Sequence, residues 1–117
     1  MATLPQQHEA MLGLIGLGVR GGLALPGVDV TCAWVRQGKC AAVIVASDAS
    51  RRATQKVVQP AKRAGVPVII GPDAATLGAR LGRPPVMVVG VRDRSLAAGI
   101  IAAAAGRRID GGVSGQE

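Results

Sequence analysis

The sequence predicts an α/β protein, a three-layer α/β/α sandwich around a small mixed, mostly parallel sheet. Helix-like and strand-like segments alternate along the chain, which is typical of a sheet covered by helices. The strand-like segments are short continuous apolar runs, as expected of strands buried on both faces. The length of 117 residues, 49% of them apolar and 18% charged, fits one domain with one hydrophobic core.

The first part of the chain predicts two helices and two strands. The spacing of apolar residues predicts a helix over residues 7–19, which a Gly-Gly pair ends. Residues 23–25 can form a short strand, and the Pro-Gly pair that follows turns the chain into a second helix over residues 28–37. The run AVIVA at residues 42–46 predicts a central strand buried on both faces.

A basic third helix is predicted to follow that strand. The residues SDAS at 47–50 supply side chains that cap a helix, so the helix begins near Arg51 and ends before Gly65. Its inner positions are mostly small or apolar, whereas its outer face is strongly basic. Pro60 lacks an N–H and is expected to disturb the helix around Gln59.

The last part of the chain predicts two further strands and two further helices. Strands are predicted at residues 66–70 (VPVII) and 86–91 (VMVVGV), and helices at 74–80 and 94–105. Residues 1–105 are therefore expected to form a single domain. Residues 106–117 have little to bury and are expected to form a flexible C-terminal tail.

The charge balance favours a polyanionic partner. The chain has 14 Lys and Arg against 7 Asp and Glu, a net charge of +7 and a pI near 11.1, which suggests nucleic acid. A generic basic surface, or the amino-acid usage of the source genome, is the alternative explanation. One Trp and no Phe or Tyr argue against folds that stack RNA bases on aromatic platforms.

The Cys and His content argues against a structural metal site. Cys32 and Cys40 form no CxxC pair, and the one His, His8, lies near the terminus. We expect two reduced thiols, no metal and no cofactor. The sequence shows no export signal and no membrane-spanning run, so we expect a cytoplasmic protein.

No motif predicts an enzyme. Residues 16–21 match the GxGxxG pattern, but a strand before it, a helix after it and an acid within residues 36–42 are missing. A nucleotide-binding enzyme has this pattern as its only support. Ser47, Asp48 and Ser50 have no His beside them, and such residues after a strand usually cap the next helix.

Three stretches, together covering most of the chain, carry a family resemblance. They are residues 12–50, 64–83 and 86–93, and their most specific features are the AVIVA strand, the SDAS turn, and the GVPV and LG..LG spacings. On these residues the chain resembles the ribosomal protein L-seven-Ae superfamily, especially its small bacterial YlxQ-like members. The resemblance implies the same α/β/α fold and an RNA-binding domain over residues 1–105.

The resemblance also implies where RNA would bind. In that family a glycine, here Gly27, opens the second helix, whose N-terminus sits at tandem sheared G·A pairs of a kinked RNA helix. By this resemblance the RNA-facing residues of that helix are Val28, Asp29, Val30 and Thr31. The loop before the last strand, here Arg83, Pro84 and Pro85, would pack against an extruded nucleotide. The cations implied around one RNA-facing edge are Arg20, Arg36, Lys39, Arg51, Arg52 and Arg83.

The chain departs from the kink-turn pattern at two positions. Kink-turn binders of the family typically read Gly-Thr-Asn-Glu-Thr-Thr-Lys, whereas here Val30 and Ala33 replace the Glu and the Lys. Neither side chain can form a hydrogen bond with a guanine edge. We therefore expect shape-directed RNA binding with weak selectivity for kink-turn G·A pairs.

The sequence thus favours a non-enzymatic protein that binds structured RNA, with ribosomal RNA and the translation machinery as the setting. Protein partners in translation or transcription are a further expectation. The alternative is a protein-interaction adaptor that uses the same fold, which the loss of the Glu and the Lys favours.

Overall fold

The computed structural model describes residues 5–106, and the side chains from His8 onward. Helices and strands alternate along this part of the chain, and each predicted element is present with its ends shifted by at most two residues. The elements are α1 (Pro5–Arg20), β1 (Ala24–Pro26), α2 (Val28–Arg36), β2 (Ala42–Ala46), α3 (Arg51–Ala64), β3 (Val68–Gly71), α4 (Ala74–Arg80), β4 (Val88–Val91) and α5 (Arg94–Ala104). The predicted tail, apart from Gly106, lies outside the described residues.

The helices cover both faces of the sheet, which confirms the three-layer sandwich. Alternate residues of β2 point to opposite faces, as the pleat of a strand requires. Ile44 joins the core that includes α1, α4 and α5, whereas Val43 and Val45 join the core formed with α2 and α3. Every residue of β2 is buried, as predicted for a central strand.

The prediction of mostly parallel pairing is wrong. The strand order is β1-β4-β2-β3, and only the β2–β3 pair is parallel, since β4 runs antiparallel to both β1 and β2. The strands β1, β2 and β3 do point the same way, but β4 is inserted between β1 and β2 with the opposite direction. A continuous apolar run indicates burial on both faces but does not show in which direction a strand runs. The sequence pattern therefore could not predict that β4 is antiparallel to its neighbours.

Strand β3 is less buried than the sequence predicted. It lies at one end of the strand order, Val68 and Ile69 are only half-buried, and Ile70 is 55% exposed. The apolar run at 66–70 therefore marks an edge strand, which has a neighbour on only one side.

Two sequence features find structural explanations within the helices. Pro60 lies inside α3, which is helical without interruption. Pro60 has no N–H to donate to the Lys56 carbonyl four residues earlier. That carbonyl instead accepts a hydrogen bond from Cys32 Sγ at 3.4 Å.

The glycines of the GxGxxG match at Gly16 and Gly18 lie inside α1. A Cβ on Gly18 would stand 2.4 Å from Leu96 of α5. Gly18 therefore allows α1 and α5 to pack closely, and its place inside a helix does not fit a nucleotide-binding loop.

Candidate nucleic-acid interface

The residues that the sequence singled out meet mainly at one edge of the sheet. We call it the carboxyl edge, because β1, β2 and β3 end there, and β4 begins there. Three backbone hydrogen bonds draw its loops together: Gly27 N–H to Val88 O at 2.8 Å, Ala46 N–H to Met87 O at 2.7 Å, and Ser47 N–H to Pro72 O at 3.2 Å. The starts of α2, α3 and α4 therefore lie along one edge.

The start of α2 leaves its first-turn N–H groups without a side-chain cap. Gly27 occupies the cap position with φ 133° and ψ 145°, a conformation that is essentially restricted to glycine. In contrast, Ser50, Asp73 and Asp93 cap α3, α4 and α5 through their side chains. The positive end of the α2 dipole is thus open to an external acceptor.

The first turn of α2 presents fewer RNA-facing side chains than the resemblance implied. Thr31 is fully buried, donates a hydrogen bond to Gly27 O at 2.7 Å, and packs against Gly90 of β4, so the expectation that it faces RNA is wrong. Val28 and Val30 are half-buried. Asp29 is 97% exposed, and its carboxylate lies 3.8 Å from Lys56 Nζ on α3.

The start of α3 combines a cap with two exposed cations. Ser50 Oγ accepts a hydrogen bond from Ala53 N–H at 3.1 Å, which confirms the predicted capping role. Arg51 and Arg52 occupy the first turn, both are exposed, and no acidic residue accompanies them there. Cations at the positive end of a helix dipole cost stability, so this placement does not serve the helix itself.

Two carboxylates of this edge are engaged by the backbone of α4. Asp48 Oδ1 accepts a hydrogen bond from Ala74 N–H at 2.8 Å, so Asp48 joins the loop after β2 to α4 instead of capping α3. Asp73 caps α4 and accepts from both the N–H and the hydroxyl of Thr76. The Thr76 hydroxyl, and then the Thr76 N–H, lower the pKa of Asp73 below its ordinary value.

The loop before β4 is fixed against α4. Arg83 N–H donates to Gly78 O at 2.8 Å, and Val86 N–H donates to Ala74 O at 3.0 Å. Arg83, Pro84 and Pro85 are exposed in this loop. The loop thus presents a cation and two rigid rings at the carboxyl edge, close to the start of β4.

Sequence reasoning left two residues of this edge out of the site. Lys56 belongs to the outer face of the third helix, which the sequence predicts to be basic, but it also lies beside Asp29 of α2. Met87 was assigned to a buried strand, but it precedes β4 and is 39% exposed. The sequence could have indicated Lys56, because it lies one helical turn after Arg52, whereas nothing in the sequence distinguishes Met87 from its buried neighbours.

The residues of this edge form one surface for the rest of the description. We define the carboxyl-edge surface as Gly27–Val30, Arg51, Arg52, Lys56, Arg83–Pro85 and Met87.

Three predicted site residues lie elsewhere. Arg20 ends α1, Arg36 ends α2, and Lys39 precedes β2, so all three lie at the opposite edge, where β1 and β2 begin. We call this the amino edge. The five residues of β2, at about 3.3 Å each, separate the two edges by roughly 16 Å. The expectation that all six cations surround one edge is therefore wrong, and Arg51, Arg52 and Arg83 alone share the carboxyl edge.

The described part of the chain shows no metal-ligand group, no disulfide and no membrane-spanning helix. Among residues 5–106, no group of three or more Cys, His, Asp or Glu side chains could hold a metal ion. Cys32 and Cys40 are free thiols. None of the described helices combines the length and the apolar character that crossing a membrane requires.

Comparisons with known proteins give one family match and solved structures of similar fold. The model of the ribosomal protein L7Ae/L30e/S12e/Gadd45 family matches residues 15–99. A protein of unknown function from Bacillus halodurans superposes with a TM-score of 0.77 at 26% identity, over 81% of this chain and 96% of that chain. A Giardia lamblia 15.5kD RNA binding protein superposes with a TM-score of 0.73 at 19% identity, over 88% of each chain, and so shows the shared fold. A search of curated proteins finds no match.

Proposed function

From the premise that the chain belongs to the ribosomal protein L7Ae/L30e/S12e/Gadd45 family, we propose that it is a non-enzymatic protein that binds structured RNA through its carboxyl-edge surface. The membership confirms the resemblance drawn from the sequence. The net charge of +7 supports a polyanionic ligand. The family's name supports ribosomal RNA and the cytoplasmic translation machinery as the setting.

The observation that carries this proposal is the pair of arginines at the start of α3. Arg51 and Arg52 stand where the helix dipole is positive, and neither has a carboxylate within ion-pair distance among residues 5–106. Their charges add to the dipole instead of opposing it, and the sum is a strong local attraction for phosphate. An RNA backbone bound there would compensate the electrostatic cost that the free protein bears.

The rest of the surface has parts suited to structured RNA. Arg83 adds an exposed positive charge in the loop before β4 and can bind a phosphate bidentately. Met87 and Pro84 offer exposed apolar surface to an unstacked base. The carboxylate of Asp29 repels phosphate at the start of α2, and Lys56 offsets it only in part, because exposed ion pairs are weak.

An adaptor role has one observation in its favour. Exposed Met87, Pro84 and Pro85 lie in the segment before β4, on the same edge of the sheet as the exposed carboxylate of Asp29, a mixture that also suits a polypeptide. Pull-down with and without ribonuclease separates the two functions. Our proposal expects partners to be lost after digestion, whereas an adaptor would keep them.

The selectivity for kink-turns tests the contact map. Val30 and Ala33, three residues apart on α2, supply neither acceptor nor donor, so we expect the parent protein to prefer a standard kink-turn over a paired duplex only weakly. Val30→Glu with Ala33→Lys should raise that preference at least tenfold, since each good base-edge contact is worth about 1 to 3 kcal/mol.

The comparison is a titration of both RNAs at one fixed salt concentration, with the reversed pair Val30→Lys and Ala33→Glu as the charge-matched control. A hundredfold preference of the parent for the kink-turn would contradict the assigned contacts. An equal preference for the kink-turn in the designed and the reversed variant would also contradict the assigned contacts.

A further inference from the structure

The amino edge carries a second group of cations that the proposed function does not use. They are Arg20, Arg36, Lys39, Arg92 and Arg94, and all are exposed. Within residues 5–106 the ion pairs are Lys56–Asp29 and Arg80–Glu9, so none of these five cations has a carboxylate partner there. Asp93 lies among them, but its carboxylate accepts a hydrogen bond from Leu96 N–H at 2.8 Å as the cap of α5.

Helix electrostatics explains some of these charges and not others. Arg20 and Arg36 stand in the last turns of α1 and α2, where a cation stabilises the negative end of the dipole. Arg94 is the first residue of α5, where a cation is unfavourable, and no acid accompanies it in that turn. Lys39 and Arg92 lie in the segments before β2 and after β4, so they serve no helix terminus.

Hydrogen bonds hold these segments side by side. Ala41 N–H donates to Val91 O at 2.7 Å, which places the segment that carries Lys39 against the end of β4. Arg92 N–H donates to Leu23 O at 2.9 Å, which brings the end of α1 to the same place. The segments that carry Lys39 and Arg92 therefore lie side by side at the amino edge.

The one aromatic residue of the chain lies at this edge. Trp34 of α2 is half-buried, and the Arg92 guanidinium lies over its ring with Cζ 5.8 Å from the centroid. The Lys39 N–H donates to the Trp34 carbonyl at 2.9 Å. A guanidinium held against an indole ring keeps its N–H edges free for phosphate oxygens, and the pair offers a flat face to a base.

A cleft opens at the amino edge, between the segments before β2 and β3 and the start of α5. Its volume is about 450 Å³, and its lining includes Gly38, Cys40, Gly65, Pro67 and Arg94. Cys40 Sγ donates to Ala42 O at 3.2 Å, and burial raises the pKa of this thiol, so it adds no negative charge at neutral pH. Arg94 thus borders a concave site that a phosphate group can enter without meeting an acid in the lining.

We propose that the amino edge is a second RNA-binding surface, which binds a phosphate backbone through Lys39, Arg92 and Arg94, so that one molecule joins two RNA segments. This inference rests on the proposed RNA-binding function and adds a second, oppositely directed contact. RNA suits the surface better than an acidic protein because a base can stack on the Arg92–Trp34 pair while the phosphates bind the cations, and carboxylate side chains offer no such base.

The test uses two charge-reversed variants and a matched control. Lys39→Glu with Arg94→Glu alters the amino edge, and Arg51→Glu with Arg52→Glu alters the carboxyl edge. Lys62→Glu with Arg63→Glu makes the same change in net charge at the last turn of α3. This turn also lies at the amino edge, but both residues line a separate groove on the outer face of that helix. Arg92 is kept, because its contact with Trp34 makes the emission of this single tryptophan a local reporter.

A biotinylated, fully paired RNA duplex is immobilised, protein is added, and capture of a fluorescent kink-turn RNA is measured. The parent and the control should capture the second RNA, whereas each edge variant should capture at least tenfold less. In solution, the duplex should change Trp34 emission in the parent, in the control and in the carboxyl-edge variant. It should leave the emission of the amino-edge variant unchanged.

The outcomes separate the two proposals. Capture by the amino-edge variant at the parent's level, or an unchanged Trp34 emission in the parent, overturns the second surface and leaves the proposed function standing. If the carboxyl-edge variant keeps the parent's RNA affinity while the amino-edge variant loses RNA affinity, the carboxyl-edge surface is not the RNA site and the proposed function is overturned at that point. If polyglutamate changes the Trp34 emission and the duplex does not, the amino edge binds acidic protein and our assignment of RNA is wrong.

Discussion

Arg51→Glu with Arg52→Glu is expected to weaken binding of a structured RNA by about a hundredfold while making the folded protein more stable. Each charge-assisted contact to phosphate is worth about 1.5 to 3 kcal/mol, and tenfold in affinity corresponds to about 1.4 kcal/mol. Acids in the first turn of α3 interact favourably with the helix dipole, by roughly 0.3 to 1 kcal/mol each. Filter binding and urea denaturation measure the two effects on the same protein.

The matched control lies at the other end of the same helix. Lys62→Glu with Arg63→Glu changes the net charge equally, but it places acids at the negative end of the dipole. This variant should lose roughly 0.5 to 2 kcal/mol of unfolding free energy and keep most of its affinity for a kink-turn RNA. Equal loss of affinity in both variants would mean that net charge, and not the start of α3, governs binding.

Gly78→Ala is expected to destabilise the protein by about 2 kcal/mol or more, although alanine is the better helix former. A Cβ at this position would stand 2.3 Å from the Pro84 carbonyl oxygen and 2.8 Å from the Arg83 carbonyl oxygen. Both atoms belong to the backbone, so the loop must move as a whole. Because that loop carries Arg83, RNA affinity should fall together with the melting temperature.

Gly13→Ala serves as the control for Gly78→Ala. Gly13 lies inside α1, and apart from its chain neighbours and the backbone of its own helix no atom would come within 4 Å of its Cβ. The free energy of unfolding should therefore rise by about 0.5 to 1 kcal/mol, with RNA affinity unchanged. A Gly78→Ala protein as stable as the parent would show that the loop is not clamped on α4 as the structure has it.

Local patterns predicted the elements well, because periodicity, caps and breakers act over a few residues. The AVIVA run, the Ser50 cap and the Gly65 stop each reappear in the structure where the sequence placed them. The direction of β4 was not predictable, since a buried strand has the same apolar composition in either direction. The exposure of Ile70 was not predictable for a similar reason, because the residues of a strand do not show whether it lies at the edge or in the middle of the sheet.

The site was predicted in part. Gly27, Arg51 and Arg83 meet at the carboxyl edge because each follows a strand end or precedes a strand start there. Thr31 was misassigned because its burial depends on the absence of a side chain at Gly90, which lies far away in sequence. Arg36 and Lys39 were misassigned because charge alone does not show which end of a helix meets which edge of a sheet.

The most direct test of RNA binding at the carboxyl edge is a titration of the isotope-labelled protein with a kink-turn RNA, followed by the NMR shifts of the backbone amides. At the first additions of RNA we expect the largest shifts in the amides of residues 27–30 and 51–53 and in those of Arg83, Val86 and Met87. These groups lie at the open start of α2, at the arginine pair of α3 and in the loop before β4. Large shifts elsewhere, with these amides unmoved, would contradict the account.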